Sequence, residues 1–402
     1  MPPTKRGTSE VTGDGLLGGL SPAEFLADYW QKRPLLIRQA LPGFTSPVTP
    51  EELAGLACEP DVESRLVLER GGERPWQLEH GPFDEERFAH LPETHWTLLV
   101  QGANRHVPAL ADLLERFDFV PNWRVDDIMV SYAAPQGSVG PHFDQYDVFL
   151  LQGLGRRRWA IGTEPVSPDN CLDGTELHIM REFAAEQTWD LQPGDMLYLP
   201  PGVAHHGVAL DPGLTLSIGF RAPSLGDLIA DYTAQAAAAL PASRRYADPD
   251  LAVPKHAGEI TAEALGRIRE SLRQALQEIA ADDEALDRWF AAFATQPDGL
   301  SETPDAPLDT EALCQRVRRG ESLQRRESSR FAFIDRGSSG ALLYVDGEEY
   351  PLSAEAAALA PLLCDRRHIP GAELAPLLER GGVAACLAAL YNLGAVVFAD
   401  HD

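Results

Sequence analysis

Residues 140–153 read GPHFDQYDVFLLQG and residues 190–210 read DLQPGDMLYLPPGVAHHGVAL. The first stretch joins His142-x-Asp144 to an apolar run. On an extended strand, side chains two apart share a face, so one imidazole and one carboxylate converge. The second stretch holds a turn at Pro193-Gly194, an apolar strand, a turn at Pro200-Pro201-Gly202, and then His205 and His206. A return of this kind sets one histidine opposite the HxD strand inside a barrel. The interval from Asp144 to His205 leaves room for several strands, as a jelly roll requires. Working outward, WTLLVQG (96–102), IMVSYAA (128–134), RRWAIG (157–162) and LTLSIGF (214–220) are further β-prone runs punctuated by Gly, Pro and Asp. The core is therefore expected to be mostly β, a jelly-roll or double-stranded β-helix.

Two histidines and one carboxylate on one side of a metal leave open positions, the arrangement of non-haem Fe(II) oxygenases. Zinc enzymes of this ligand set usually carry HExxH on a helix, which is absent. Adjacent strand residues face opposite sides, so only one of His205 and His206 reaches the metal. The spacing of Gly194, Pro200, Gly202 and His205 matches the second cupin motif and selects His205. His206 then lies on the outer face or behind the ligand. An oxygenase using 2-oxoglutarate also needs a cation for the far carboxylate of that cosubstrate. Only three lysines occur, Lys5, Lys32 and Lys255, none of them nearby, so arginine must serve. In Arg156-Arg157-Arg158, alternation places Arg157 with Trp159 and Ile161 on the buried face. A buried guanidinium without a partner costs several kcal/mol, which an anionic ligand relieves, and its planar fork suits a carboxylate. Ser131, on the strand before the HxD, is a candidate hydroxyl donor to the same carboxylate. Asp147 falls on the opposite face and is read as structural, as are His178 and Cys171 in a loop.

At 402 residues the chain is long for one ordinary domain. The net charge of −27 argues against a nucleic-acid-binding surface and favours encounter with a basic partner. Five scattered cysteines with no CxxC pair fit reduced thiols in the cytoplasm. No apolar run reaches signal-peptide or membrane-span length, so a soluble intracellular protein is expected.

Residues 1–18 are polar and Gly-rich, read as a flexible leader. Ser21-Pro22 opens a helix carrying Phe25, Leu26, Tyr29 and Trp30, Pro34 stops it, and Leu35-Leu36-Ile37 forms a short strand. The barrel domain spans 19–223. From 224 to 300 the pattern turns helical, over Leu225–Leu240 and Thr261–Thr295, with 241–259 as a linker loop. In 301–402, FAFI (331–334) and ALLYV/EEYPL (341–352) are strands, the latter pair joined by the hairpin signal Asp346-Gly347. Helices are expected near 353–364, 371–380 and 384–393, then the strand AVVF, which together make a winged-helix unit. This tail holds 10 Arg and no Lys against 16 Asp plus Glu, too acidic for a DNA-binding version.

With these residues in place, the chain resembles the JmjC-type ribosomal oxygenases, in particular the arginine 3-hydroxylases of bacterial ribosomal protein L16. The resemblance is carried by FLADYWQKRPLLIRQA (25–40), WRVDDIMVSYAAPQGSVGPHFDQYDVFLLQGLGRRRWAIG (123–162), PGDMLYLPPGVAHHGVAL (193–210) and LSIGFRAP (216–223). It implies a JmjC/cupin barrel, a helical dimerisation region making a homodimer, and a C-terminal winged helix. It also implies Fe(II) at His142, Asp144 and His205, 2-oxoglutarate at Arg157 with Ser131, O₂ as oxidant, and β-hydroxylation of an arginine in L16. Relatives of this fold act on His, Asn or Asp with the same iron site. Two other classes remain: a cupin enzyme independent of 2-oxoglutarate, whose usual HxH the His142-x-Asp144 departs from, and a non-catalytic binding module.

Overall fold

Alternation along the central strands builds the barrel. The computed structural model describes residues 9–71, 76–162, 166–172, 177–297, 299 and 303–399. Twelve strands form its first half: β1 (Ser9–Thr12), β2 (Leu35–Arg38), β3 (Ser64–Glu69), β4 (Trp76–His80), β5 (Trp96–Val100) and β6 (Val125–Ala133) come first. β7 (Asp147–Leu154), β8 (Arg157–Gly162), β9 (Gln187–Leu191), β10 (Met196–Leu199), β11 (Ala204–Ala209) and β12 (Gly213–Phe220) follow. Between them lie the short helices α1 (Pro22–Asp28), α2 (Pro50–Leu56), α3 (Glu85–Ala89) and α4 (Pro108–Leu114).

A nine-stranded sheet runs β1-β2-β10-β7-β12-β6-β5-β3-β4, and a three-stranded sheet runs β11-β8-β9. Each strand of the large sheet sorts its side chains by parity. Leu35 and Ile37, Phe149 and Leu151, Met196 and Tyr198 enter one core with Phe25 of α1. Leu36, Val148, Leu150, Leu197 and Leu199 enter another, against Trp159, Ile161 and Leu191 of the small sheet. Both faces of the large sheet are therefore covered, and the functional cavity opens between the two sheets. The expected cap is present: Ser21 Oγ accepts from the Glu24 amide at 3.3 Å while Glu24 Oε2 accepts from the Ser21 amide at 2.8 Å.

The flexible leader expected over 1–18 needs correction. Ser9–Thr12 is a strand parallel to β2, pairing Ser9 with Leu35 through Thr12 with Arg38; residues 1–8 lie outside the described residues. A four-residue strand of mixed polarity carries too little pattern to be read alone.

Past the barrel come α5 (Leu225–Ala238), α6 (Ala262–Ala280) and α7 (Asp283–Ala294). No residue of α5 or α6 is buried, although Tyr232 Oη donates to the Ile279 carbonyl at 2.8 Å and Trp289 Nε1 to Asp231 at 2.6 Å. The C-terminal region holds α8 (Thr310–Arg318), β13 (Leu323–Arg325), β14 (Phe331–Asp335), β15 (Ala341–Val345) and β16 (Glu348–Leu352). It ends with α9 (Leu359–Asp365), β17 (His368–Ile369), α10 (Gly371–Leu374), α11 (Val383–Leu393) and β18 (Val396–Phe398). The Asp346-Gly347 hairpin forms as expected, both residues having positive φ (51° and 84°), and Val345 pairs with Glu348. Two helix expectations change. The helix expected over 371–380 breaks after Leu374 into a 3₁₀ turn at Ala375–Leu377, where Pro376 removes a backbone donor. The helix near 353–364 starts only at Leu359, and α8 was not anticipated. The domain docks on the barrel: Asn122 Nδ2 donates to the Cys364 carbonyl at 2.9 Å, and Arg367 Nε to Asp112 at 2.7 Å.

Candidate metal centre

The HxD segment is not part of a regular strand. It is extended chain just before β7, held by a single bridge to β11. The His142 amide donates to the His205 carbonyl at 3.0 Å, the His205 amide donates back at 2.8 Å, and the Gly202 amide donates to the Asp144 carbonyl at 2.7 Å. This pairing sets the two imidazoles side by side, ring centroids 4.2 Å apart.

Each imidazole is oriented from behind. His142 Nδ1 lies 2.9 Å from the Gly140 carbonyl and His205 Nδ1 lies 2.9 Å from the Val203 carbonyl. A carbonyl only accepts, so each Nδ1 carries the hydrogen and each Nε2 presents its lone pair inward. His205 Nε2 sits 3.6 Å from Asp144 Oδ2, and the ligating atoms of all three residues lie within 4.8 Å of one another. Burial, reinforced by His142, pulls the His205 pKa down to about 4, which keeps the ring in the neutral form that ligates metals. The donor set and its orientation fit an Fe(II) ion.

Arg157 is 4% exposed and lines the same cavity. Its Nη2 donates to the Gly207 carbonyl at 3.2 Å, its Nε has no partner, and burial pulls its pKa down to about 10. Gly207 makes room for it, since a Cβ there would sit 2.6 Å from Arg157 Nε and 2.7 Å from the Trp159 ring. The flanking Arg156 and Arg158 point outward into pairs with Asp211 and Asp190, each at 2.7 Å. A buried guanidinium that lines a cavity with its hydrogen bonding incomplete suits an anion.

The cavity has a volume of about 340 Å³. Thr97 and Leu99 of β5, Met129 and Ser131 of β6, Thr215 and Ser217 of β12 reach it by the parity that sends their neighbours to the opposite core. Ser131 is buried in this wall, its Oγ 3.4 Å from the Thr215 carbonyl. Asp147 turns away, accepting from Tyr198 Oη at 2.6 Å and Gln31 Nε2 at 2.9 Å, which fits its structural reading. His206 stands behind the centre with Nε2 3.0 Å from Ser138 Oγ. Cys171 Sγ lies 3.8 Å from the His178 carbonyl, but His178 also lines the cavity, so the purely structural reading of it was too narrow.

Sequence reasoning passed over the acidic part of the wall. Ile218 pairs with Ile128 and Phe220 with Val125, so Asp126 and Asp127 together oppose Gly219 in a β-bulge. The bulge brings two successive aspartates to the lining of one cavity, which strict alternation forbids. Asp127 Oδ2 accepts from Gly102 N at 2.6 Å and from Gln101 Nε2 at 2.8 Å, and Arg65 donates to Gln101 Oε1 at 3.1 Å. Burial raises the pKa of Asp127, and the Asp126 charge adds to the shift. The adjacent Asp pair was visible in the sequence; the bulge was not.

Comparison with known proteins places this geometry. The JmjC domain family matches residues 112–228, and the ROXA-like winged helix matches residues 277–396. An AraC-like ligand binding domain also matches 182–292, across the end of the barrel and the helices that follow. The ribosomal protein uL16 3-hydroxylase of Escherichia coli (strain K12) is 36% identical over 92% of this chain and 96% of its own length. Ribosomal oxygenase 2 of Rattus norvegicus is 26% identical over 54% of this chain and 49% of its own. Among solved structures, YcfD, a ribosomal oxygenase from Escherichia coli in complex with cobalt and 2-oxoglutarate, superposes with a TM-score of 0.78 at 34% identity. That match covers 95% of this chain and 99% of the other.

Proposed function

Because the chain belongs to the JmjC ribosomal oxygenase family, we propose that it hydroxylates the β-carbon of an arginine in ribosomal protein uL16 (L16), the protein named for its Escherichia coli relative. It is a 2-oxoglutarate-dependent oxygenase that uses Fe(II) and O₂. In this reading His142, Asp144 and His205 hold the iron, while Arg157, aided by Ser131, grips the far carboxylate of 2-oxoglutarate. Iron bound there supplies the oxidising power, drawn from O₂ and 2-oxoglutarate, for oxygen insertion into a substrate C–H bond.

The chain's own residues supply orientation and exclusion. The Gly140 and Val203 carbonyls hold both imidazoles in one tautomer. Val148, Leu150 and Trp159 wall the centre from water on one side. Across the cavity, Asp127 keeps Oδ1 clear of the two bonds that fix Oδ2, a fitting acceptor for a guanidinium. The single observation that carries the reading is the convergence of the triad in one cavity with the buried Arg157, whose Nε has no partner.

The test is direct. Purified uL16 incubated with the protein, Fe(II), 2-oxoglutarate and air should gain the mass of one oxygen atom, mapped to an arginine, with matching succinate. Unmodified uL16, or mass gained on another residue type, overturns the substrate assignment.

The protein is further read as a homodimer. Leu265, Ile268, Leu272 and Leu276 form an exposed apolar stripe along α6, continued by Leu225 and Ile229 on α5. A second copy laid on that stripe would bury it. Light scattering should give a dimer mass for the native chain and a monomer for Leu272→Glu; a native monomer refutes the dimer. Among the described residues no helix is long and apolar enough to cross a membrane. A ribosomal substrate supports a cytoplasmic site of action, and the acidic C-terminal domain is assigned to protein contacts rather than nucleic acid.

A further inference from the structure

The barrel holds the bulge that brings Asp126 and Asp127 to the cavity from its Asp127 side, through Gln101, Gly102 and Asn104, and leaves the Val125–Asp126 side less supported. Opposite Gly219 the β12 register slips, and pairing of β6 with β5 stops at Val130. Two-against-one bulges leave backbone groups outside the ladder, and these need other partners.

One partner comes from the C-terminal domain. Arg330 Nη1 donates to the Val125 carbonyl at 2.8 Å, and Nη2 donates to the Asp126 carbonyl at 3.0 Å. The same Nη2 lies 3.4 Å from the Asp126 carboxylate. A planar guanidinium spanning successive carbonyls fixes their spacing in a way a single donor cannot. Arg330 is itself anchored, because its backbone amide donates to Asp346 Oδ1 at 2.8 Å and the Asp346 amide donates back to the Arg330 carbonyl at 3.1 Å. Asp346 belongs to the tight β15–β16 hairpin. The chain of restraint therefore runs from that hairpin, through Arg330, to the strand segment carrying both aspartates of the cavity lining. Arg221 braces the Asp126 carboxylate from the helical side, its Nε at 3.7 Å.

We propose that Arg330 is a positioning residue for the substrate site: through it the C-terminal domain fixes the Asp126–Asp127 bulge and sets how tightly a cationic substrate side chain is held. This rests on the reading of uL16 as substrate and of Asp127 as the acceptor of its cationic side chain. Arg330 touches neither the triad nor Arg157, so iron and 2-oxoglutarate binding are independent of it.

The experiment uses the full chain with Fe(II), 2-oxoglutarate and purified uL16. Arg330→Ala should weaken uL16 binding by calorimetry and raise the uL16 KM roughly ten-fold, about the worth of losing charge-assisted hydrogen bonds. The 2-oxoglutarate KM and the consumption of 2-oxoglutarate without substrate should stay unchanged. Arg330→Lys, which restores one donor, should recover part of the affinity. Asp112→Asn is the control: it loosens the same domain interface at Arg367 and His368 without touching β6, and should leave the uL16 KM near the native value. An unchanged uL16 KM in Arg330→Ala overturns the proposal, as does an equal loss in Asp112→Asn, which would mean general domain docking. Should Arg330→Ala fail to fold, Arg330→Lys decides alone, by a raised or an unchanged uL16 KM. If the substrate reading itself were wrong, the native protein would leave uL16 unbound and unmodified and both claims would fall. If only this inference fails, native turnover is intact and Arg330→Ala matches it.

Discussion

The two faces of one sheet do different work in this protein. On β6, β7 and β12, the residues Ile128, Val130, Phe149, Leu151, Leu216 and Ile218 point into a core shared with α1. Their immediate neighbours Met129, Ser131, Val148, Leu150, Thr215 and Ser217 point into the cavity. The first face is dense with aromatic contacts, Phe25 to Tyr198 at 5.0 Å and Phe149 to Tyr198 at 4.9 Å, and its buried hydroxyl on Tyr198 donates to Asp147. The cavity side leaves Arg157 Nε, Trp159 Nε1 and Thr97 Oγ1 buried without partners. Evolution tolerates such groups where a ligand satisfies them. The first face is thus given over to packing, while the other divides between the second core around Trp159 and Ile161 and the cavity where the chemistry sits.

The sharpest way to break that division is to cut each face in turn. Phe149→Ala on the apolar face should cost about 3–5 kcal/mol of folding stability, read by denaturant melting, while activity per folded molecule stays near native. A loss of 2-oxoglutarate turnover in excess of the unfolded fraction would contradict the division. On the cavity face, Arg157→Ala should do the reverse. The 2-oxoglutarate KM should rise roughly a hundred-fold, the scale for removing one side of a buried charge pair. The melting temperature of the ligand-free protein should stay level or rise, because a desolvated unpaired charge is removed. A fall of many degrees would show that Arg157 is structural.

A smaller effect probes the acidic wall. The Asp127 carboxyl is pushed above its usual range by burial, so its charged form persists above the raised value and is lost as pH falls through it. Affinity for a cationic substrate should thus weaken as pH falls through that raised value, beginning at a higher pH than an ordinary aspartate would give. Measuring the uL16 KM against pH checks this. Asp127→Asn should have a raised KM above the native acidic limb and no such limb of its own, and a native-like acidic limb in that variant would assign the titration elsewhere.

How much of this was legible follows from which features obey short-range periodicity. The strands flanking the cavity alternate cleanly, so their existence and the inward aim of Arg157 were readable from RRWAIG alone, and Arg157 is indeed buried while Arg158 is exposed. The convergence of His142, Asp144 and His205 was readable because turn residues fix the return that carries His205. What failed was whatever interrupts the period. The bulge hid the approach of Asp126 to the cavity wall, and His142 and Asp144 proved to lie on bridged extended chain rather than on a strand. β1 is too short and polar to announce itself, and its partner β2 lies far along the chain. α8 is a different miss. Its signals were present, Asp309 as cap and Leu313, Cys314 and Val317 on one buried face, but the neighbouring Pro- and Asp-rich run reads as a boundary.

The most direct test of the central claim is anaerobic Fe(II) binding to the metal-stripped chain in the presence of 2-oxoglutarate, compared with His205→Ala. The native chain should bind one Fe(II) per molecule, and the variant, with an unchanged circular dichroism spectrum, should bind none at the same concentration. Equal iron uptake by both proteins would place the metal somewhere other than at His142, Asp144 and His205.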